Sequence, residues 1–343
     1  MIDTMKIKLE LGKEVFDSLF DCVNGFLIGL DLGKLRPDKN GRRYITTKFA
    51  RHGFLEIAFH KTKYGRNLEV KLQPIRLLKE NEFVELCRFG DYPAVESDFN
   101  EFWNDVIGSE RFPDFMRFEN WRVSRIDYAF QFRTPYLQTY LDLLQRGRIA
   151  NYFTEHEYAT SVYATANTVN LNFYDKHAQL QSKSYLKASK IETAKNLLRL
   201  EVQCKFDYLQ KLKRKFKLDG MSVRDFWDAN IAEHVLRYRI EMLAGEQDFY
   251  RLDEAERKLK LQAGNNAFIL CSLLRDIAQA YDAQSAKENF CRKHSGISFG
   301  KYDKLLHKLR KKFGINPLTF PADENLPVVL KNPCALITSP AWL

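Results

Sequence analysis

Several stretches of the chain alternate strictly between apolar and polar residues, the period that sends successive side chains to opposite faces of a sheet. Residues 125–132 set Ile126, Tyr128, Phe130 and Phe132 against Arg125, Asp127, Ala129 and Gln131. Residues 169–176 separate Val169, Leu171 and Phe173 from Asn170, Asn172, Tyr174 and Lys176. Residues 198–205 separate Leu198, Leu200, Val202 and Cys204 from Arg199, Glu201, Gln203 and Lys205. Residues 67–72 oppose Glu69 and Lys71 to Leu68, Val70 and Leu72, and 54–60 is a further alternating segment ending at His60. Apolar spacings of three and four predict helices at about 92–107, 135–144, 177–194, 206–216 and 253–281. After about Phe206 the pattern becomes almost wholly helical. The expectation is an α+β fold: a central antiparallel sheet with helices on one face over residues 1–220, then a mainly helical domain over 221–316. Five of the ten prolines fall in residues 317–343, which are expected to form an irregular tail. No internal repeat or low-complexity tract is evident.

A length of 343 residues exceeds the usual ceiling for one hydrophobic core, in keeping with more than one domain. With 45% hydrophobic and 29% charged residues the chain reads as globular, which excludes a disordered or fibrous protein. The net charge of +10 favours a polyanionic partner. Six scattered cysteines suggest neither a zinc ribbon nor a disulfide framework, so free thiols in a reducing cytosol are expected. The first residues lack the apolar block of a signal peptide. The longest apolar stretch, Phe268 to Leu274, is far short of the ~20 residues that span a bilayer. A cytoplasmic protein without a membrane partner is therefore expected.

If the alternating strands pair in one sheet, its polar face gathers Asp127, Glu201, Glu69, Tyr174, Arg199 and two lysines. Two readings of such a face compete. One is an ordinary solvated surface with cross-strand ion pairs, in which the tyrosine only packs. The other is chemical: two or three carboxylates can hold Mg²⁺ or Mn²⁺, which neutralises charge on a phosphate. A phenol, with an unperturbed pKa of ~10, becomes a useful nucleophile beside a cation that stabilises phenolate. Lys176, two residues along, could supply that cation.

Three blocks resemble the replication initiators of filamentous bacteriophages, the gene II or gene X type of plus-strand origin endonuclease. They are Ser124-Arg125-Ile126-Asp127, the run from Tyr174-Asp175-Lys176 to Gln181, and Leu198-Arg199-Leu200-Glu201 leading into Tyr208-Leu209. Glu69-Val70-Lys71 with Pro74 is a weaker fourth, and Met1-Ile2-Asp3 and Asp31-Leu32-Gly33-Lys34 look like the start of those proteins. The resemblance implies a rolling-circle initiator that nicks one strand of a duplex origin, joins its tyrosine to the 5′ phosphate, leaves a 3′ hydroxyl to prime synthesis and later rejoins the strand. Carried over, it makes Tyr174 the nucleophile and Lys176 its neighbouring lysine, with Asp127 and Glu201 as metal ligands; Glu69, on the same polar face, is a third candidate ligand. Gln179 stands where the wider motif has Glu, which points to capping or packing there. The same resemblance implies duplex origin DNA and single-stranded DNA as substrates, and a host helicase, polymerase and single-strand-binding protein as partners. No two of the seven histidines stand two apart, so a His-hydrophobe-His metal motif is absent and carboxylates must serve.

Arg125 and Arg199 on the polar face are candidates for holding DNA. So are two basic runs: Lys211, Arg214 and Lys215 within 205–217, and Lys304, Lys308, Arg310 and Lys311 within 301–312. Either run could also be a solvated helix face. A short helix at about 286–294, a Ser295-Gly296-Ile297-Ser298 turn and a basic helix from Phe299 suggest a helix-turn-helix. The competing functional class is a nonenzymatic sequence-specific DNA binder, such as a repressor, whose polar face only touches phosphates.

Overall fold

The computed structural model describes residues 1–63, 65–108, 113–147, 153–280 and 282–337. It is an α+β structure built on a ten-stranded antiparallel sheet. The strands are β1 (Ile2–Leu11), β2 (Arg36–Pro37), β3 (Arg43–Thr46), β4 (Phe54–Thr62), β5 (Gly65–Leu72), β6 (Arg122–Arg133), β7 (Thr154–Tyr158), β8 (Ser161–Thr165), β9 (Val169–Asp175) and β10 (Leu197–Lys205). They lie in the order β2-β3-β4-β5-β1-β6-β10-β9-β8-β7. The helices of this part are α1 (Lys13–Gly29), α2 (Pro74–Leu78), α3 (Tyr92–Ile107), α4 (Leu137–Gln145), α5 (Lys176–Gln181), α6 (Ala188–Glu192) and α7 (Phe206–Phe216).

This order contains the same figure twice. β1 is followed by α1 and four strands, the last of which returns to pair with β1; β6 is followed by α4 and four strands, the last of which returns to pair with β6. No repeat in sequence announces this, because a backbone ladder constrains which positions alternate and not which residues fill them.

The alternation read from the sequence matches the faces observed. Ile126, Tyr128, Leu198, Leu200, Val202, Val169, Leu171, Phe173, Leu68 and Val70 are all buried on one side. Helices cover that side: α1, α3 and α7, and, beyond α8 (Val223–Phe226), α9 (Ala229–Ala244). In α3 the inward residues Val95, Phe99, Trp103 and Val106 follow the helical period, and Phe99 and Trp103 lie 5.4 and 5.8 Å from the Trp121 ring. Truncating a fully buried ring such as Trp103 would cost ~3–5 kcal/mol. Tyr128 belongs to this core, its hydroxyl donating to the carbonyl of Phe226 at 2.7 Å. β1, at the centre of the sheet, buries Ile2, Met5, Ile7 and Leu9.

Two predicted helices are each broken in two. The segment 177–194 is α5 and α6, because residues 182–187 turn Leu186 into a small apolar cluster with Phe83, Val84 and Leu197. The segment 253–281 is α10 (Leu252–Gln262) and α11 (Ala267–Gln279), interrupted where Gly264 takes φ +53°. Its expected end, Tyr281, lies outside the described residues. α12 (Ala283–Lys293) and α13 (Phe299–Phe313) complete the helical part, with a two-stranded ribbon of β11 (Phe249–Tyr250) and β12 (Val329–Leu330) and a last helix, α14 (Pro333–Ile337). Buried amides hold the proline-rich end in place. Asn316 Nδ2 donates to the Ala244 carbonyl at 2.6 Å, and Asn332 Nδ2 donates to the Gly245 and Gln247 carbonyls at 3.0 Å each. Residues 338–343 of the expected tail lie outside the described residues.

Candidate active site

Cross-strand register decides which polar residues meet. Arg199 on β10 sits opposite Gln131 on β6 and opposite Tyr174 on β9. Glu201, one pleat along, lies between Ala129 and Asn172, and Asp127 is paired with Gln203 and Thr4. Tyr174, Glu201, Arg199 and Asp127 therefore share one face at the β9-β10-β6 side of the sheet. Lys176 joins them from the first turn of α5. That helix starts where it does because the Asp175 side chain accepts from the His177 and Ala178 amides.

The group is buried, and its polar atoms are paired. The Tyr174 hydroxyl donates to Glu201 Oε1 at 2.5 Å. Arg199, fully buried, donates Nη1 to Asp3 Oδ1 at 2.8 Å and Nε to Gln131 Oε1 at 2.9 Å, and Nη2 to the Val84 carbonyl. Asp127 receives both arms of Arg125, at 2.7 and 2.5 Å. Lys176 Nζ stands 5.8 Å from the Tyr174 ring centre and donates to Gln179 Oε1 at 3.0 Å, so Gln179 orients the lysine. The Val84 contact shows what covers the site. Residues 82–87 cross this part of the polar face, fastened by Lys190 to Glu82 Oε2 at 2.6 Å and Arg76 Nε to the Glu82 carbonyl at 3.0 Å.

Burial shifts the ionisable groups. It pushes Glu201 up to about 8, with Asp3 adding to the push and Arg199 opposing it. It raises Asp127 to about 6 despite Arg125. Burial and the nearby Arg199 guanidinium bring Lys176 down to about 7. Tyr174 is held well above its ordinary value by burial and by the Glu201 charge. Chemically, an ionised Glu201 is placed to take the phenolic proton, and Lys176 can hold or release a proton near neutrality.

Not every expected residue joins this group. Glu69 is on the same face but three strands from Glu201, ~14 Å by interstrand spacing, where it meets Lys6 at 3.3 Å, Arg43 at 3.8 Å and His60 at 3.9 Å. Among the described residues no three His, Cys, Asp or Glu side chains gather in a way that would hold a metal ion. Two hard donors, Asp127 and Glu201, are neighbours; burial raises both, and a bound cation would favour their charged forms. His177 pairs with Glu192 at 3.4 Å. Lys211, Arg214 and Lys215 are exposed on α7, with Lys215 Nζ 2.7 Å from His234 Nε2; Lys304, Lys308, Arg310 and Lys311 lie on α13.

Sequence reasoning missed Asp3, Gln131's role and the covering segment. Asp3 was invisible for a physical reason. Ile2 pairs with Tyr128 and Thr4 with Asp127, so Asp3 is the extra residue of a bulge, which turns its carboxylate to the face that strict alternation denies it.

The polar face thus brings together a hydroxyl that could act as a nucleophile, a carboxylate hydrogen-bonded to it, and arginine and lysine groups of the kind that pair with phosphate. Residues 93–230 match the family Phage_CRI, which describes the N-terminal region of a replication-associated protein. The matched span runs from α3 through β6, β9 and β10 into α9, and so includes Asp127, Tyr174, Lys176, Arg199 and Glu201. This similarity supports a phage replication initiator, which acts on DNA. No curated protein matches the chain. Among the described residues no helix is long and apolar enough to cross a membrane.

Proposed function

We propose that the protein is a rolling-circle initiator of the filamentous-phage type, which nicks one strand of its origin with Tyr174 as nucleophile. The observation that carries this reading is the 2.5 Å hydrogen bond from the Tyr174 hydroxyl to Glu201, with Arg199 and Lys176 beside it. In the nicking step the phenolic proton passes to Glu201, the tyrosine oxygen bonds to phosphorus, and the bond from phosphorus to the 3′ oxygen breaks. The leaving oxygen takes a proton from Lys176, which changes charge near neutrality. The phosphate then joins Tyr174 to the 5′ end, and the free 3′ hydroxyl primes synthesis. Because the phosphodiester energy is kept in the tyrosine ester, a 3′ hydroxyl can later attack it and rejoin the strand.

Mg²⁺ or Mn²⁺ belongs to the proposal, with Asp127, once it gives up Arg125, and the second carboxylate oxygen of Glu201 as its protein ligands, while Glu201 Oε1 keeps the Tyr174 hydroxyl. Its contribution would be to neutralise charge on the scissile phosphate. The phenol is buried, and the Val84 carbonyl sits on the neighbouring Arg199, so a phosphate reaches the site only after residues 82–87 lift. A host helicase, polymerase and single-strand-binding protein are the partners this reading requires.

The burial of Tyr174 also suits the competing reading, a nonenzymatic DNA binder in which the polar network only stiffens the sheet. One experiment separates them: supercoiled phage origin DNA incubated with the protein and Mg²⁺ or Mn²⁺, followed by mapping of any protein residue bound to the nicked strand. A 5′-linked adduct at Tyr174 is expected. An adduct at another residue, or none with either metal, overturns the proposal.

A further inference from the structure

α13 has two sharply different sides. Tyr302, Leu309 and Phe313 are buried, and Leu305 and Leu306 are partly buried beside them. At the helical period the side facing directly away from these is formed by Gly300, Lys304, His307 and Lys311, with Lys301 and Lys308 along its edge. The one acid on the helix, Asp303, lies off that side and is paired with Lys287 of α12 at 2.9 Å. Arg310 is likewise off it, its Nε 3.7 Å from where a side chain on Gly245 would begin, beside a cleft lined by Glu241 and Glu246, whose rim His307 and Lys311 also form.

The helix is presented by a fixed scaffold. α12 packs against it through Phe290 and Tyr302, ring centres 5.6 Å apart. α11 supports α12 through Ser272 to His294 at 2.9 Å and Lys293 to Asp276 at 3.1 Å. The turn between α12 and α13 runs over residues 294–298. Gly296 in it takes φ +94°, and Ser298 caps α13 by accepting from the Lys301 amide. A short glycine turn joining a supporting helix to an exposed basic one is the arrangement of a helix-turn-helix.

Gly300 adds an independent observation. Glycine is a poorer helix former than alanine, by ~1 kcal/mol in a helix interior, and Gly300 stands at the second position of α13. Nothing lies within 4 Å of the position a Cβ would take, so no neighbour inside the protein explains the glycine. A missing side chain at the N-terminal end of an outward basic surface does have a use if another molecule must approach the backbone closely.

We propose that α12 and α13 form a helix-turn-helix and that α13 enters the major groove of duplex DNA. Gly300 and Lys304 face the bases, and Lys308 and Lys311 meet the flanking phosphates. The proposal rests on the reading of the protein as an initiator acting on a duplex origin, but its test does not depend on Tyr174. The full-length protein is used to enrich a 30-base-pair duplex from a random-sequence pool, and binding is measured against salt concentration. Gly300→Leu changes no charge and starts from a Cβ position with nothing within 4 Å, so its thermal unfolding should be unchanged or raised. Its affinity for the enriched duplex should fall about tenfold or more. Lys308→Ala and Lys311→Ala should each weaken all duplexes alike and reduce the salt slope by ~0.9. Covalent nicking of a single-stranded origin oligonucleotide should survive in Gly300→Leu. Wild-type duplex affinity in Gly300→Leu overturns groove entry. An unaltered salt slope in both lysine variants overturns DNA as the occupant and leaves an acidic protein surface as the partner. Loss of the covalent adduct from wild-type protein refutes the Tyr174 reading and leaves these binding results standing.

Discussion

Replacing Tyr174 with phenylalanine removes one oxygen, whose hydrogen bond is to Glu201 at 2.5 Å. What that bond is worth depends on whether Glu201 carries its proton, and Glu201 is pushed up to about 8. At pH 6.5 the carboxyl is protonated, the bond joins two neutral groups, and its loss should cost ~1 kcal/mol. At pH 9 the carboxylate is ionised, the bond is charge-assisted, and the cost should rise to ~1.5–3 kcal/mol. Denaturant unfolding of wild type and Tyr174→Phe at the two pH values measures both numbers. The same preparations, incubated with supercoiled origin DNA and Mn²⁺, report the chemistry: wild type should form the covalent adduct, and the variant should bind the duplex but form none. A full-strength adduct from Tyr174→Phe would show that the nucleophile is another residue. An equal stability loss at both pH values would show that Glu201 does not change charge between them.

Three further outcomes are expected. Arg199→Met leaves the Asp3 carboxylate buried without its counter-charge and should destabilise the fold by ~3–5 kcal/mol, read by thermal or denaturant unfolding; a loss under 1 kcal/mol would contradict the pairing described. The contributions of Glu201 and Lys176 to stability should together be smallest near pH 7 to 8. Glu201 is raised from 4.5 to about 8, so its favourable contribution is complete below 4.5 and lost as pH climbs to 8. Lys176 is lowered from 10.5 to about 7, so its contribution is complete above 10.5 and lost as pH falls to 7. Melting temperatures from pH 5 to 10 test this, and Glu201→Gln should flatten the acid limb. Finally, chelation should abolish nicking, and Asp127→Asn should raise the Mn²⁺ concentration for half-maximal nicking ~10-fold or more, whereas an unchanged metal titration would remove Asp127 from the ligand set.

The sheet was legible where one face is apolar throughout. β6, β9 and β10 each show four or three apolar residues at period two, and their common polar face follows from pairing alone. Tyr174, Glu201, Arg199 and Asp127 could thus be grouped by alternation alone. Burial could not be read, because it depends on residues 82–87, whose placement over the face is set by Glu82 and Val84 contacts far along the chain. Arg125 and Arg199 looked available to DNA for the same reason, and each is engaged by a carboxylate. Glu69 lay beyond reach of alternation, which assigns a face but not a distance across it. The breaks at residues 182–187 and at Gly264 were hidden because apolar spacing persists through a kink when the flanking segments pack on different neighbours.

The bulge at Asp3 makes the charge balance of the sheet's polar face a matter of strand length. Omitting that single residue would let Ile2 and Thr4 pair in succession with Tyr128 and Asp127, and the first strand would keep its hydrogen bonds there. The guanidinium of Arg199 would then lose its anion although no ligand, nucleophile or core side chain had been altered. Counting residues at the start of the chain is therefore as consequential for this chemistry as choosing them.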